Sequence, residues 1–357
     1  GAEPLLLERR LGDRYWLVAE YRAGADARYF VYQPDVDQLW PLSVARPRQH
    51  RLPIFCRIAD VPLRGGGRAV TYLAGPHSGR LGDGGTAKDT CPPAVLLVHG
   101  GPWRRSRWEY NERRAWLANQ GLTVIEPNFR GSTGFGADWV NAADRQWGAA
   151  MQDDLEDALD WAIRRGHADP DRIGLVGGSY GGYAVLQLAT TSVRRFSCVV
   201  ATSPLTDLVA FIEELPEPWR TAAPMVRRRI GDPADPEQRR ALVQKSPLTN
   251  ASTVCCPVLL VHGVNDTRVP VEMSARMFMA LARGGKDATL ALFPDEGHEI
   301  VNASNRRAAD ELIAGFLARH LRGAATPYPS PPAATMNILH TPRSGVVAEQ
   351  AKAAVTC

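Results

Sequence analysis

The stretch LVGGSYGGYAVL, residues 175–186, sets Ser179 among four glycines directly after an apolar run. Glycine costs backbone entropy, so such a cluster needs a reason. A flexible turn without chemistry is one. The other is a tight strand–turn–helix, Gly177-Gly178-Ser179-Tyr180-Gly181, that holds the hydroxyl out as a nucleophile. In that turn the backbone comes too close to its neighbours for side chains at Gly177 and Gly181. A serine hydroxyl is a poor nucleophile unless a base takes its proton. This topology predicts an acid and then a histidine, each on a loop after a later strand. VNDTRVP, after the apolar run 256–263, offers Asp266, and DEGHEI, after the run 288–294, offers His298. In these roles His298 accepts the serine proton and returns it to a leaving group, while Asp266 fixes the imidazole tautomer and stabilises the imidazolium.

The negative charge formed on an attacked carbonyl needs backbone donors. One is the N–H of Tyr180, at the start of the helix after the nucleophile. HGGPW (99–103) follows an early strand and offers Gly101 as the second, although Gly-Gly-Pro by itself also reads as an ordinary turn. His99 and His262 both end apolar strands and are read as structural, hydrogen-bonding backbone at a turn. Asp295 and Glu296 are read as loop-shaping.

These groups need a scaffold. Short continuous apolar runs at 94–100, 122–128, 172–178, 196–202, 256–263 and 288–294 read as buried strands. Helical segments are expected between them: 105–121, 151–166, 180–192, 271–285 and 305–321. The alternation predicts an α/β chain with a mostly parallel sheet and helices on both faces. The helix at 151–166 is acidic at its start and basic at its end, which suits the helix dipole. The beginning differs. Residues 14–33 read as an aromatic-rich β-hairpin and 54–75 as a second hairpin whose strands extend the main sheet. Residues 75–93 form a polar, Gly-rich loop. After Gly323 the chain has no hydrophobic period and is expected to be a disordered tail, with a docked segment at MNILH as the alternative.

The chain has 357 residues, 45% of them hydrophobic, enough for one large core. Its 42 basic and 38 acidic residues leave a net +4 that is dispersed along the sequence, so neither a nucleic-acid nor a membrane partner is expected. WRRSR (103–107) and MVRRRI (225–230) are read as solvated helix faces. The start, GAEPLLLERR, is too short and too charged for a signal peptide or spanning helix. The six cysteines lack metal-ligand spacing and are read as reduced thiols in a cytoplasmic protein, with no metal and no cofactor.

Together LLVHGGPW, NFRGSTGFG (128–136), WGAAMQDDLEDALDWA (147–162), GGSYGGY, KSPLT (245–249), HGVNDTRVP and FPDEGHEI resemble the catalytic domain of the prolyl oligopeptidase family of serine peptidases, in its acylaminoacyl-peptidase and dipeptidyl-peptidase-like branches. The resemblance spans 94–322 in family order. It implies an α/β-hydrolase fold, with Ser179, Asp266 and His298 as the triad and Tyr180 and Gly101 as oxyanion donors. It further implies that Arg268 binds a substrate main-chain carbonyl, the bland alternative being a surface ion pair. Tyr183 would wall the pocket before the scissile bond or belong to the core, and Arg130 is read as loop-shaping. Full-length members carry a β-propeller before the hydrolase domain. Residues 1–50 resemble the remnant of its last blade, 51–322 the hydrolase domain and 323–357 the tail. With Gly1 at the start the chain is read as a truncated product, open to self-association through the face left by the missing propeller. The function implied is hydrolysis of short peptides through an acyl-enzyme. A carboxylesterase acting on small esters and an inert hydrolase-fold interaction module are the alternatives.

Overall fold

The computed structural model describes residues 3–10, 14–22, 25–42, 54–76, 91–321 and 335–341. Its first unit is a four-stranded antiparallel sheet, β1 (Glu3–Arg10), β2 (Tyr15–Arg22), β3 (Ala25–Gln33) and β4 (Gln38–Leu42), in sequential order. The hairpin expected at 14–33 is β2–β3, with Trp16 opposite Tyr32 and Val18 opposite Phe30. The start of the chain joins as β1, antiparallel to β2. Leu39, Trp40 and Leu42 of β4 are exposed, and Arg107 of the following unit stacks its guanidinium 5.6 Å from the Tyr21 ring.

The second unit contains β5 (Ile54–Pro62), β6 (Arg68–Pro76), β7 (Ala94–Val98), α1 (Glu112–Asn119), β8 (Thr123–Pro127), α2 (Ala137–Asn141), α3 (Ala150–Arg164), β9 (Ile173–Gly178) and α4 (Tyr180–Thr191). It continues through β10 (Cys198–Thr202), α5 (Leu208–Glu213), α6 (Ala223–Arg229), α7 (Pro236–Gln244), β11 (Val258–Gly263), α8 (Glu272–Arg283), β12 (Ala288–Phe293), α9 (Ala303–Leu321) and β13 (Asn337–His340). One nine-stranded sheet runs β13-β12-β11-β10-β9-β7-β8-β6-β5. Its centre, β8 to β12, is parallel, and the edges are antiparallel. The hairpin 54–75 extends this sheet as β5–β6, through pairing of β6 with β8.

The strands are apolar on both sides because both faces are covered. Leu96, Leu175, Val199, Leu260 and Leu290 face α3, α4 and α8, in a core with Leu155, Leu159, Tyr183, Met277 and Phe278. Their neighbours Val95, Val176, Val200, Leu259 and Ala291 face α1 and α9, in a core with Trp116, Leu117, Ile313 and Leu317. This is the α/β-hydrolase arrangement. The strand order reverses between β7 and β9, since β8 lies on one side of β7 and everything after it on the other. Such a switch point opens a crevice at the carboxyl ends of the strands.

Two expectations change. The helix expected over 105–121 is α1 alone. Ser106 is anchored instead through its N–H to Asn128 Oδ1 (2.8 Å) and its hydroxyl to Glu126 Oε1 (2.6 Å), and the helix begins only where the Asn111 side chain caps the N–H of Arg114. The tail is not wholly without structure. Asn337–His340 pairs with β12 as an edge strand, and Leu339 and Met336 pack against the two cores, so the docked MNILH alternative describes it. The expected boundary at residue 50, the loop core 77–90 and the rest of the tail lie outside the described residues.

Leu260 is wholly buried on β11, whereas Val193 is fully exposed. Leu260→Ala is expected to lower stability by about 2–5 kcal/mol. Val193→Ala should stay within about 0.5 kcal/mol of the parent, both read from urea unfolding midpoints at constant m-value.

Candidate functional site

Ser179 sits between β9 and α4 with φ +56° and ψ −121°, in left-handed backbone that a serine rarely occupies. The turn is held by the surrounding chain: Ser179 N–H donates to Thr202 O (2.9 Å) and Ser179 O accepts from Tyr183 N–H (3.0 Å). Glycine is a steric requirement here. A Cβ on Gly177 would lie 2.2 Å from Gly181 O, and one on Gly181 would lie 2.1 Å from Val98 O. Backbone on both sides leaves no room to give. The elbow is therefore pressed onto the end of β7, which brings the HGGP loop beside Ser179.

Gly101 and Ser179 line one cleft of about 540 Å³, together with Arg268 and His298. The N–H of Tyr180 is the first amide of α4. Among the described residues neither that N–H nor the Gly101 N–H donates to a protein acceptor. Free amides at a helix start attract negative charge. The Tyr180 ring is buried and only its backbone is relevant to the cleft, the hydroxyl pointing to Met151 Sδ at 3.6 Å.

Asp266 follows β11 and His298 follows β12, as the spacing predicts. His298 Nδ1 lies 2.7 Å from Asp266 Oδ2. Asn265 N–H to Glu296 O (2.9 Å) fastens the two loops to each other, and Ser203 Oγ to His298 O (3.2 Å) ties the second to the end of β10. Glu296 is buried and accepts from the N–H groups of Val301 and Asn302, so its loop-shaping role is visible. Burial by itself would raise the Asp266 carboxyl. Hydrogen bonds from His262, His298 and the Val269 N–H outweigh it, helped by the charge of His298, and hold the group well below the usual carboxylate range.

His99 behaves as expected of a structural residue. Its Nδ1 donates to Gly100 O (2.9 Å), its Nε2 accepts from Ser132 Oγ (3.0 Å), and the ring stacks on Phe129. Burial pushes its pKa down. His262 does more than meet backbone, since its Nε2 reaches Asp266 Oδ2 at 3.2 Å as well as Val269 O at 3.0 Å. Arg130 grips the buried Asp154 with both Nε (2.8 Å) and Nη2 (2.7 Å), which shapes the 128–136 loop.

Arg268 is exposed at the cleft, and among the described residues its guanidinium forms no ion pair. Tyr183 needs a correction: it is core rather than pocket wall. Its ring is wholly buried behind Trp147, and its hydroxyl donates to Lys245 O at 3.0 Å. Trp147 takes the wall position, with Trp103, Leu205, Phe211, Trp219, Val226 and Ile230. None of these was singled out for the cleft from sequence. Five of these seven come from the segment between β10 and β11, where no strand–helix rhythm marks a site. The one available signal was the i, i+4 pair Val226 and Ile230 inside MVRRRI. That pair is buried while Arg227 and Arg228 point outward, so α6 is solvated on one face only. WRRSR is corrected too, since Trp103 and Arg104 line the cleft.

A carboxyl with a depressed folded-state pKa contributes stability above its unfolded value of about 3.9, and that contribution is lost as the pH falls below it. Between roughly pH 5 and pH 3 the unfolding free energy of the parent should therefore fall more steeply than that of Asp266→Asn. Urea titrations at each pH measure both slopes.

The pattern of the prolyl oligopeptidase family matches residues 108–324. The chain is 37% identical over 320 residues to dipeptidyl aminopeptidase BIII of Pseudoxanthomonas mexicana, covering 89% of this chain and 46% of that protein. It is 30% identical over 213 residues to acylamino-acid-releasing enzyme 2 of Oryza sativa subsp. japonica, covering 58% of this chain and 28% of the relative. The solved structure of a puromycin-hydrolyzing peptidase of Mycobacterium tuberculosis superposes with a TM-score of 0.75 at 25% identity, over 90% of this chain and 48% of that one. The chain thus spans less than half the length of these proteins. With the family pattern covering most of the sheet, the elbow and the loops of Asp266 and His298, the chain belongs to the prolyl oligopeptidase family of serine peptidases.

Proposed function

We propose that the chain hydrolyses short peptides through an acyl-enzyme on Ser179. The observation that carries this reading is the 2.7 Å contact of His298 Nδ1 with Asp266 Oδ2, in a cleft that His298 shares with Ser179 and Gly101. Because Nδ1 faces a carboxylate it carries the proton, which leaves Nε2 free to accept one. His298 takes the Ser179 proton as Oγ attacks the scissile carbonyl carbon. The carbonyl electron pair moves onto oxygen, where the N–H groups of Tyr180 and Gly101 stabilise it. Collapse of the intermediate breaks the C–N bond, and His298 gives the proton to the departing amine. Water then attacks the acyl-serine by the same route and releases the acid. Arg268 has fixed donors and a permanent charge suited to a peptide carbonyl of the acyl part.

The wall of Trp147, Leu205, Phe211, Trp219, Val226 and Ile230 supports a large apolar residue on the acyl side of the scissile bond. Burying such a side chain against this wall favours binding by about 1.5–3 kcal/mol, whereas a carboxylate would lose hydration against it for no apolar gain. The same machinery cleaves activated esters. The peptidase reading is preferred over esterase or inert module because the related proteins are named dipeptidyl aminopeptidase and acylamino-acid-releasing enzyme.

Two measurements test this. Incubation with a fluorophosphonate should add one label by intact mass, and Ser179→Ala should abolish it. No label on a folded sample would sink the reading. On peptide 4-nitroanilides, kcat/KM should favour phenylalanine over aspartate before the scissile bond, and Trp219→Ala should lower the phenylalanine value by roughly tenfold or more. Preference for aspartate would remove the apolar pocket from the argument.

A further inference from the structure

The acid of the triad has a second histidine on it. Asp266 accepts four N–H groups: Arg268 N (2.8 Å) and Val269 N (2.9 Å) on Oδ1, His298 Nδ1 (2.7 Å) and His262 Nε2 (3.2 Å) on Oδ2. His262 is the penultimate residue of β11 and has no exposed surface. Its Nε2 faces two oxygens, Asp266 Oδ2 and Val269 O (3.0 Å), both of which only accept, so Nε2 carries a proton. Its Nδ1 lies 2.7 Å from Oγ of the buried Ser274 at the start of α8, whose hydroxyl hydrogen completes that tautomer.

We propose that His262 is a positioning residue of this site. Its Nε2–H lies between Oδ2 and the Val269 carbonyl, two buried oxygens that would otherwise repel. The ring therefore fixes the rotation of the carboxylate so that Oδ2 points at His298 Nδ1. It also takes up part of the electron density of Oδ2, tempering the pull of Asp266 on the His298 proton. Ser274 orients His262 in turn, so the chain of contacts runs α8, β11, acid loop, histidine loop. The arrangement puts the carboxylate under the control of the sheet rather than of the loops alone. The inference rests on the reading of Ser179, His298 and Asp266 as the reacting groups.

Removing His262 leaves Oδ2 facing Val269 O with one donor fewer. The carboxylate is then freer to turn, which slows proton transfer, and more basic, which favours the charged imidazole. Such variants leave the other charged groups near His298 unaltered: Arg104, Arg268 and Glu299 on the cleft, and Asp295 and Glu296 in its own loop. A movement of the acid limb of the pH profile is thus traceable to the Asp266 contact.

The test measures kcat and KM against pH on a phenylalanyl 4-nitroanilide, with the rate of fluorophosphonate labelling beside it. His262→Leu should lower kcat about tenfold with KM within twofold, because hydrogen bonds to charged groups are of that strength and His262 is off the cleft. Its acid limb should move to higher pH by roughly 0.5–1. His262→Gln, which retains an N–H donor at similar reach, should recover the larger part of the rate. Ser274→Ala should move the limb in the same direction by less, and it keeps the question open to measurement should His262→Leu not fold. An acid limb unmoved in folded His262→Leu, or in Ser274→Ala where the former does not fold, overturns the inference while labelled parent protein leaves the triad reading intact. Parent protein that takes no label at Ser179 overturns both.

Discussion

Everything at the site depends on how closely the backbone packs where β7 and β9 end. The elbow carbonyls and those of Val98 occupy the volume that side chains at Gly177 and Gly181 would fill. That contact forces Ser179 into left-handed backbone and turns its hydroxyl into the crevice. Such a conformation costs of order 1–3 kcal/mol and persists only where the surroundings over-determine it. Here they do, since β10 supplies the acceptor for Ser179 N–H and the first turn of α4 takes Ser179 O. The same contact places the HGGP loop at the mouth of the crevice that the reversal in strand order opens.

A second constraint is electrostatic. A buried carboxylate is unfavourable unless hydrogen-bonded, and Asp266 is almost wholly buried. Its four N–H partners resolve that conflict in favour of the charged form, which is why the desolvation penalty loses. Two of those partners are loop amides and two are imidazoles on different strand ends. The charge is therefore held by the sheet and both loops together. The cleft wall follows a different logic. Most of its aromatic and aliphatic side chains come from the segment of short helices and loops between β10 and β11, which does not join the sheet, and Trp103 and Trp147 complete it from two earlier loops.

The α/β architecture and the triad candidates were legible in the sequence because each depends on short-range pattern. Continuous apolar runs mark strands covered on both faces, and a nucleophile, acid and base placed after successive parallel strands must come to one edge of the sheet. Ser179, Asp266 and His298 are of this kind, and so are the crowded glycines beside Ser179. Local pattern fails where contacts between distant segments decide. Residues 105–110 carry helix-like periodicity, yet Ser106 is pinned to Glu126 and Asn128 and the helix starts late. Tyr183 lies one turn from Ser179, and only packing against Trp147 decides that it faces the core. Asn337–His340 has no period of its own and becomes a strand because the edge of β12 offers unpaired backbone. His262 on Asp266 is likewise invisible in HGVND, because a strand-end histidine that meets backbone reads the same as one that meets the acid. Sequence by itself determined which groups are candidates to react and along which edge they lie, since covalent order and burial pattern suffice for that. The tertiary structure decided which side chains surround them, since that depends on the free space left when segments far apart in the chain come together.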